Sequence, residues 1–163
     1  MAAKKSAPKS VSRKNASAKK SASRGRKNKD GLSIPDLLFA NVSPHSIGGL
    51  SMFDYAGAFD VDTVSNFMSD EELIRSTALA LEDAGFKVLQ LSAYTINVAA
   101  PISTFERAFK THIKAEELPT LKSGGMEDTA TYFTTEDTDR FGLLHTQGTA
   151  FENLIEGVAI ETP

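Results

Sequence analysis

Residues 69–113, SDEELIRSTALALEDAGFKVLQLSAYTINVAAPISTFERAFKTHI, decide the fold. The first part reads as a helix over residues 69–85: Ser69 stands at the N-cap with Glu72 three residues on, a capping-box pattern, and acids occupy the positive helix end. Leu73, Ile74, Thr77, Leu81 and Ala84 share one face, and Gly85 supplies the stop. FKVLQLSAY then sets Lys87 and Gln90 among Phe86, Val88, Leu89 and Leu91, while TINVAAP alternates Ile96 and Val98 with Thr95 and Asn97. Two strands joined tightly around Ala93 and Tyr94 follow from that pattern. Behind Pro101, ISTFERAFKTHI opens a second short helix with Ser103 as N-cap, Glu106 completing another box, and Phe105, Ala108 and Phe109 on one face.

Working outward, GLSIPDLLFANVSP (31–44) brings the first clustered apolar residues, Ile34, Leu37, Leu38 and Phe39, and reads as a lead-in or a first edge strand. LSMFDYAGAFDV (50–61) reads as an aromatic strand bulged near Gly57. Residues 112–137 read as two strands around a loop at Gly124 and Gly125. TAFENLIEGVAI reads as a short last helix, boxed by Thr149 and Glu152, with Phe151, Leu154 and Ile155 facing inward. The order strand, helix, strand, strand, helix, strand predicts an α+β fold, a ferredoxin-like α/β plait: an antiparallel sheet with two helices on one face. The expected division is a disordered Lys/Arg-rich tail over 1–30, a lead-in segment over 31–49, and the plait over 50–163 with a C-terminal tail over 157–163.

Charge divides the chain more sharply than composition does. Residues 1–30 hold 11 of the 18 Lys and Arg and a single acid, Asp30, for a net +10, whereas the remaining 133 residues carry 7 basic and 20 acidic groups, a net −13. The basic set is Lys4, Lys5, Lys9, Arg13, Lys14, Lys19, Lys20, Arg24, Arg26, Lys27 and Lys29, diluted by Ala, Ser and Asn with one large apolar residue, Val11, after Met1. Such a segment cannot bury enough surface to offset chain entropy. It suits phosphate contacts on nucleic acid, or an acidic protein surface, with salt-dependent affinity. It lacks an aromatic residue for base stacking. No secretory signal or membrane-length apolar run is present, so a cytoplasmic location without membrane contact is expected.

Conventional reactive chemistry is missing from the pattern. There is no Cys, so no thiol nucleophile or Cys-based zinc site. His45, His112 and His145 are far apart in sequence and form no HExxH-type pair, and no GxSxG elbow marks a nucleophile. Glu71, Glu72, Glu82 and Asp83 are accounted for by the ends and polar face of a helix. The glycine pairs 48–49 and 124–125 fit no phosphate loop. An RNA-binding plait would carry a basic-aromatic strand motif that is absent here. The residues point to a non-enzyme without cofactor or metal.

ALALEDAGFKVLQLSAYTINVAAPISTFERAFKTHI resembles the activation propeptides of subtilisin-like and sedolisin-like serine peptidases. The resemblance is carried by Leu81, Gly85, Phe86, Val88, Ile96, Val98, Phe105, Glu106, Ala108, Phe109, Thr111 and Ile113, and TATYFTTED and LIEGVAI extend it over about residues 50 to 163. It implies a stand-alone propeptide-like protein that binds a serine peptidase in trans, as inhibitor or folding chaperone, since no peptidase domain follows Pro163. It further implies that the segment Gly157, Val158, Ala159, Ile160, Glu161, Thr162 and Pro163 lies in the peptidase cleft, with Ile160 in an apolar subsite. Pro163 departs from the pattern, because it lacks an N–H and fixes φ where a scissile-bond residue would stand. The other readings are a nucleic-acid-associated protein anchored by its basic tail and an assembly protein binding an acidic partner.

Overall fold

The computed structural model describes the backbone of Arg26–Lys27 and residues 32–162. These form strands β1 (Arg26–Lys27), β2 (Ser33–Ile34), β3 (Leu37–Pro44), β4 (Lys87–Leu91), β5 (Ile96–Pro101), β6 (Ile113–Leu121), β7 (Glu127–Thr135), β8 (Leu143–Leu144) and β9 (Ile155–Ile160), with helices α1 (Glu71–Asp83) and α2 (Ile102–Phe109). Five strands make one antiparallel sheet in the order β4-β5-β3-β9-β8, and β1-β2 and β6-β7 form separate ribbons. The fold is α+β, as the residue pattern predicts.

Alternation along β3 builds the core. Leu38, Ala40 and Val42 are buried and lie in register with Ala100, Val98 and Ile96 of β5, while Ala40 and Val42 also pair with Ile160 and Val158 of β9. Against this face α1 brings Ile74, Ala78 and Leu81, and α2 brings Ile102, Phe105 and Phe109, all in one apolar cluster. Phe105 meets Phe86 edge-on at 4.9 Å, and Phe109 reaches Phe151 at 5.5 Å. Each such fully buried side chain contributes roughly 1.5–3 kcal/mol of transfer free energy, so the aromatic set anchors α2.

The helix ends refine the expected caps. Asp70, not Ser69, is the N-cap of α1: its Oδ1 accepts from the N–H groups of Glu72 (2.9 Å) and Leu73 (3.2 Å). Ser69 is occupied elsewhere, donating Oγ–H to the Pro44 carbonyl at 3.2 Å and N–H to Ala93 O at 2.8 Å. Gly85 ends α1 as expected, with φ +98°, and the N–H groups of Gly85 and Phe86 close onto the carbonyls of Glu82 and Leu81 in a Schellman arrangement. In α2 the expected capping box does not form. β5 runs directly into the helix through Pro101, leaving Ser103 inside the first turn, and no side chain caps it. The Glu106 carboxylate instead accepts from the Ile113 N–H (3.1 Å) and faces His112 Nδ1 at 2.9 Å, tying the helix to the following strand.

The β4-β5 turn forms where expected. Ser92 Oγ accepts from the N–H groups of Tyr94 (3.2 Å) and Thr95 (2.9 Å), holding Ala93 and Tyr94 in the bend. The two strands predicted around Gly124 and Gly125 are β6 and β7.

Three expectations fail for one physical reason, the competition for the central sheet positions. The segment 31–49 is no lead-in, because β3 falls within it and occupies the middle of the sheet, so the folded unit starts well before residue 50. Residues 50–61 consequently form turns rather than a strand. Two of their aromatic residues, Tyr55 and Phe59, cluster with Phe67 in tilted and edge-on contacts, ring centroids 5.0–5.4 Å apart. Finally, the expected last helix is replaced by turns through Leu154 followed by β9. Thr149 does not cap a helix: its Oγ1 accepts from the Phe151 N–H at 3.1 Å within the turn, and the chain is then captured as a strand beside β3.

Candidate interaction surface

The face of the sheet turned away from the helices is set by the odd residues of β3. Phe39 pairs with Ala99, which pairs with Lys87; Asn41 pairs with Asn97, which pairs with Gln90; and on the other side Asn41 pairs with Ala159, which pairs with Leu143. Leu37 and Phe39 are 48 % and 44 % exposed, while Ala99 beneath them is buried. The face therefore has an apolar centre and an amide stripe, Asn41, Asn97 and Gln90. At its β9 edge Asn41 Nδ2 donates to Glu161 Oε1 at 3.2 Å, and the Glu161 N–H donates to Phe39 O at 2.9 Å.

One end of this face is closed by residues 51–55. The Phe53 ring lies over Gly157 so closely that a Cβ there would fall 2.6 Å from Cδ2, which makes Gly the residue that fits. Arg140 holds the segment from the outside, pairing with Asp54 Oδ1 at 3.0 Å and donating to the Phe53 carbonyl. Beneath it a cavity of about 200 Å³ is lined by Phe53, Asp54, Arg140, Leu143, His145 and Glu156, among others. Burial pushes the Glu156 carboxyl above its ordinary value, against the opposing hydrogen bonds from Ser43 Oγ–H (2.7 Å) and Met52 N–H (3.3 Å).

The predicted cleft segment is placed differently from its expected role. Gly157, Val158, Ala159 and Ile160 belong to β9, in the interior of the sheet between β3 and β8. Val158 and Ile160 are core residues, so neither side chain is free to fill a subsite in this arrangement. Only Glu161 and Thr162 extend past the strand with exposed side chains, and Pro163 lies outside the described residues. Of the basic set, Arg26 and Lys27 form β1; Lys4, Lys5, Lys9, Arg13, Lys14, Lys19, Lys20, Arg24 and Lys29 lie outside the described residues. The structure does not bring the histidines together in a ligand set: His45 Nε2 lies 2.9 Å from the Glu152 carbonyl, His112 faces Glu106, and His145 lines the cavity near Arg140. Among the described residues no group of three His, Cys, Asp or Glu is arranged to hold a metal ion, and no helix is long and apolar enough to cross a membrane.

Sequence reasoning missed the residues that make the open face, Leu37, Phe39, Asn41, Asn97 and Ala99. One signal was available: in LLFANV large apolar residues occupy both parities of the strand, so one of them must face away from the helices. No protein-family profile, curated protein or solved structure matches this chain.

Proposed function

We propose that the chain is a propeptide-like, non-enzymatic protein that binds a subtilisin-like or sedolisin-like serine peptidase in trans, as inhibitor, folding chaperone or both. In this reading the domain is a ferredoxin-like plait. Support comes from the strand order β4-β5-β3-β9 with α1 and α2 in the two crossovers, and from the residues that carry the propeptide resemblance. The observation that carries the binding reading is the helix-free sheet face, with Leu37 and Phe39 half-exposed over buried Ala99. A preformed sheet loses little conformational freedom on docking, so its apolar centre can serve as an anchor flanked by amides that hydrogen-bond at the rim. The contact residues shift accordingly from the tail to this face, with Glu161 and Thr162 as its continuation toward a cleft.

The test is inhibition and refolding of a purified subtilisin-like and a purified sedolisin-like peptidase by the full chain and its Phe39→Asp variant. A buried anchor contributes about 2 kcal/mol or more, so Phe39→Asp is expected to weaken inhibition at least about thirtyfold while leaving the melting temperature nearly unchanged. Equal inhibition by the variant would remove the sheet face from the mechanism. Absence of both inhibition and assisted refolding with either peptidase class would remove the peptidase reading itself.

A further inference from the structure

Glu156 is the extra residue of a β-bulge. Gly157 pairs with Ser43 and Ile155 with Pro44, so Glu156 has no partner across the β3-β9 ladder and its side chain is re-aimed. Both hydrogen bonds to its carboxylate, from Ser43 Oγ–H at 2.7 Å and Met52 N–H at 3.3 Å, end on Oε1. Oε2 has no partner, and no ion pair reaches Glu156 among the described residues. Sheet and covering segment thus fix a half-buried carboxylate with one oxygen unused.

That carboxylate lines the cavity of about 200 Å³, which is smaller than the pockets of drug-sized ligands and suits a small group. Phe53, Leu143 and Leu144 give it apolar walls; Asp54, Arg140 and His145 are its other titratable or charged groups. Arg140 is engaged by Asp54 at 3.0 Å and by the Phe53 carbonyl. Burial works against ionisation of Glu156, Asp54 adds to it, and His45 opposes it. The missing complement is therefore a cation. A divalent metal needs more donors, and no group of three is arranged for one among the described residues. A guanidinium fork needs two free oxygens, and Oε1 is already taken twice. A compact ammonium needs one oxygen, and the apolar walls suit a short alkyl chain.

We propose that this cavity binds a primary alkylammonium group, which donates to Glu156 Oε2 while its alkyl chain lies against Phe53 and Leu143. A free amine and a lysine side chain share that chemistry. The bound cation supplies the counter-charge that Glu156 lacks and ties the covering segment 51–55 to β9. This does not rest on the peptidase reading.

Amide NMR shifts of the full chain during titration with n-butylammonium chloride at neutral pH test it. Met52, Phe53 and Gly157 should shift saturably with a Kd of about 1–10 mM, in keeping with so few ligand atoms. Glu156→Gln, which keeps the shape and removes the charge, should weaken binding at least about tenfold, as should replacing the ligand by n-butanol. Glu82→Gln, at the exposed end of α1, should leave it within about twofold. Saturation of the same amides by Nα-acetyl-lysine N-methylamide assigns the site to a protein-borne lysine; saturation by butylammonium alone assigns it to a free amine. The proposal is overturned if neither ligand saturates at about tenfold the expected Kd, or if butanol binds as well as butylammonium. Equal affinity of Glu156→Gln and the parent overturns it too, as does an equal loss in Glu82→Gln.

Discussion

Replacing Ile160 by Ala separates a core strand from a free terminal tail. Ile160 is 5 % exposed, lies opposite Ala40 in the β3-β9 pair, and donates its N–H to Gly142 O at 2.7 Å. The substitution removes three carbons from the cluster that also holds Leu38 and Phe105. At about 0.8 kcal/mol per buried carbon the transfer loss is about 2.4 kcal/mol, and the incompletely relaxed cavity brings the expected cost to about 3 kcal/mol. Urea unfolding followed by far-ultraviolet circular dichroism suits a chain with no Trp. With a slope of about 1.5–2 kcal/mol per molar urea, the midpoint should fall by about 1.5–2 M at unchanged slope. Thr162→Ala, just past the strand, should stay within about 0.5 kcal/mol of the parent. If Ile160→Ala behaved like Thr162→Ala, β9 would not be a core strand and the cleft-tail role of Ile160 would be restored.

Two further outcomes test the local chemistry. Asp70→Ala should cost about 1 kcal/mol by removing the acceptor for two α1 N–H groups, whereas Ser103→Ala, which removes no cap, should stay within about 0.5 kcal/mol; a reversed ranking in urea midpoints would contradict the assigned helix ends. Glu156 has its carboxyl pKa raised by burial, so its contribution to stability is fully present below the unfolded-state value near 4.5 and is lost as pH rises through the folded-state value. Glu156→Gln should therefore stabilise the protein relative to the parent more at pH 7 than at pH 4, and a pH-independent difference in midpoint would dismiss that electrostatic account.

The helices and hairpins that could be read from the sequence are those whose evidence is local. α1 is announced by its apolar stripe and by Gly85, the β4-β5 pair by alternation around a short polar turn, and β6-β7 by the paired glycines. β3 and β9 were harder because neither is marked by a clean period of two. LLFANV is apolar at both parities, and FENLIEGVAI places Phe151, Leu154 and Ile155 at a spacing that also fits a helix. What makes them strands is mutual pairing across more than a hundred residues, Ala40 with Ile160 and Val42 with Val158. The aromatic run at 50–61 has strand composition, but the sheet positions it would fill are taken.

The candidate surface was legible only in part for the same reason. Its residues come from Leu37–Asn41, Asn97–Ala99 and Leu143 with Ala159, segments that meet only after the sheet has closed. A terminal segment such as 157–163 is easy to nominate from sequence because it is contiguous, yet in a small sheet the last strand is also what completes the core. Val158 and Ile160 cannot both seal that core and enter a partner's subsites without opening β9, which would forfeit the burial of two large side chains and the ladder to β3. Docking through Phe39 and its neighbours requires no such loss. Under the proposed reading, energetics thus favours the open face over the terminal segment as the docking surface.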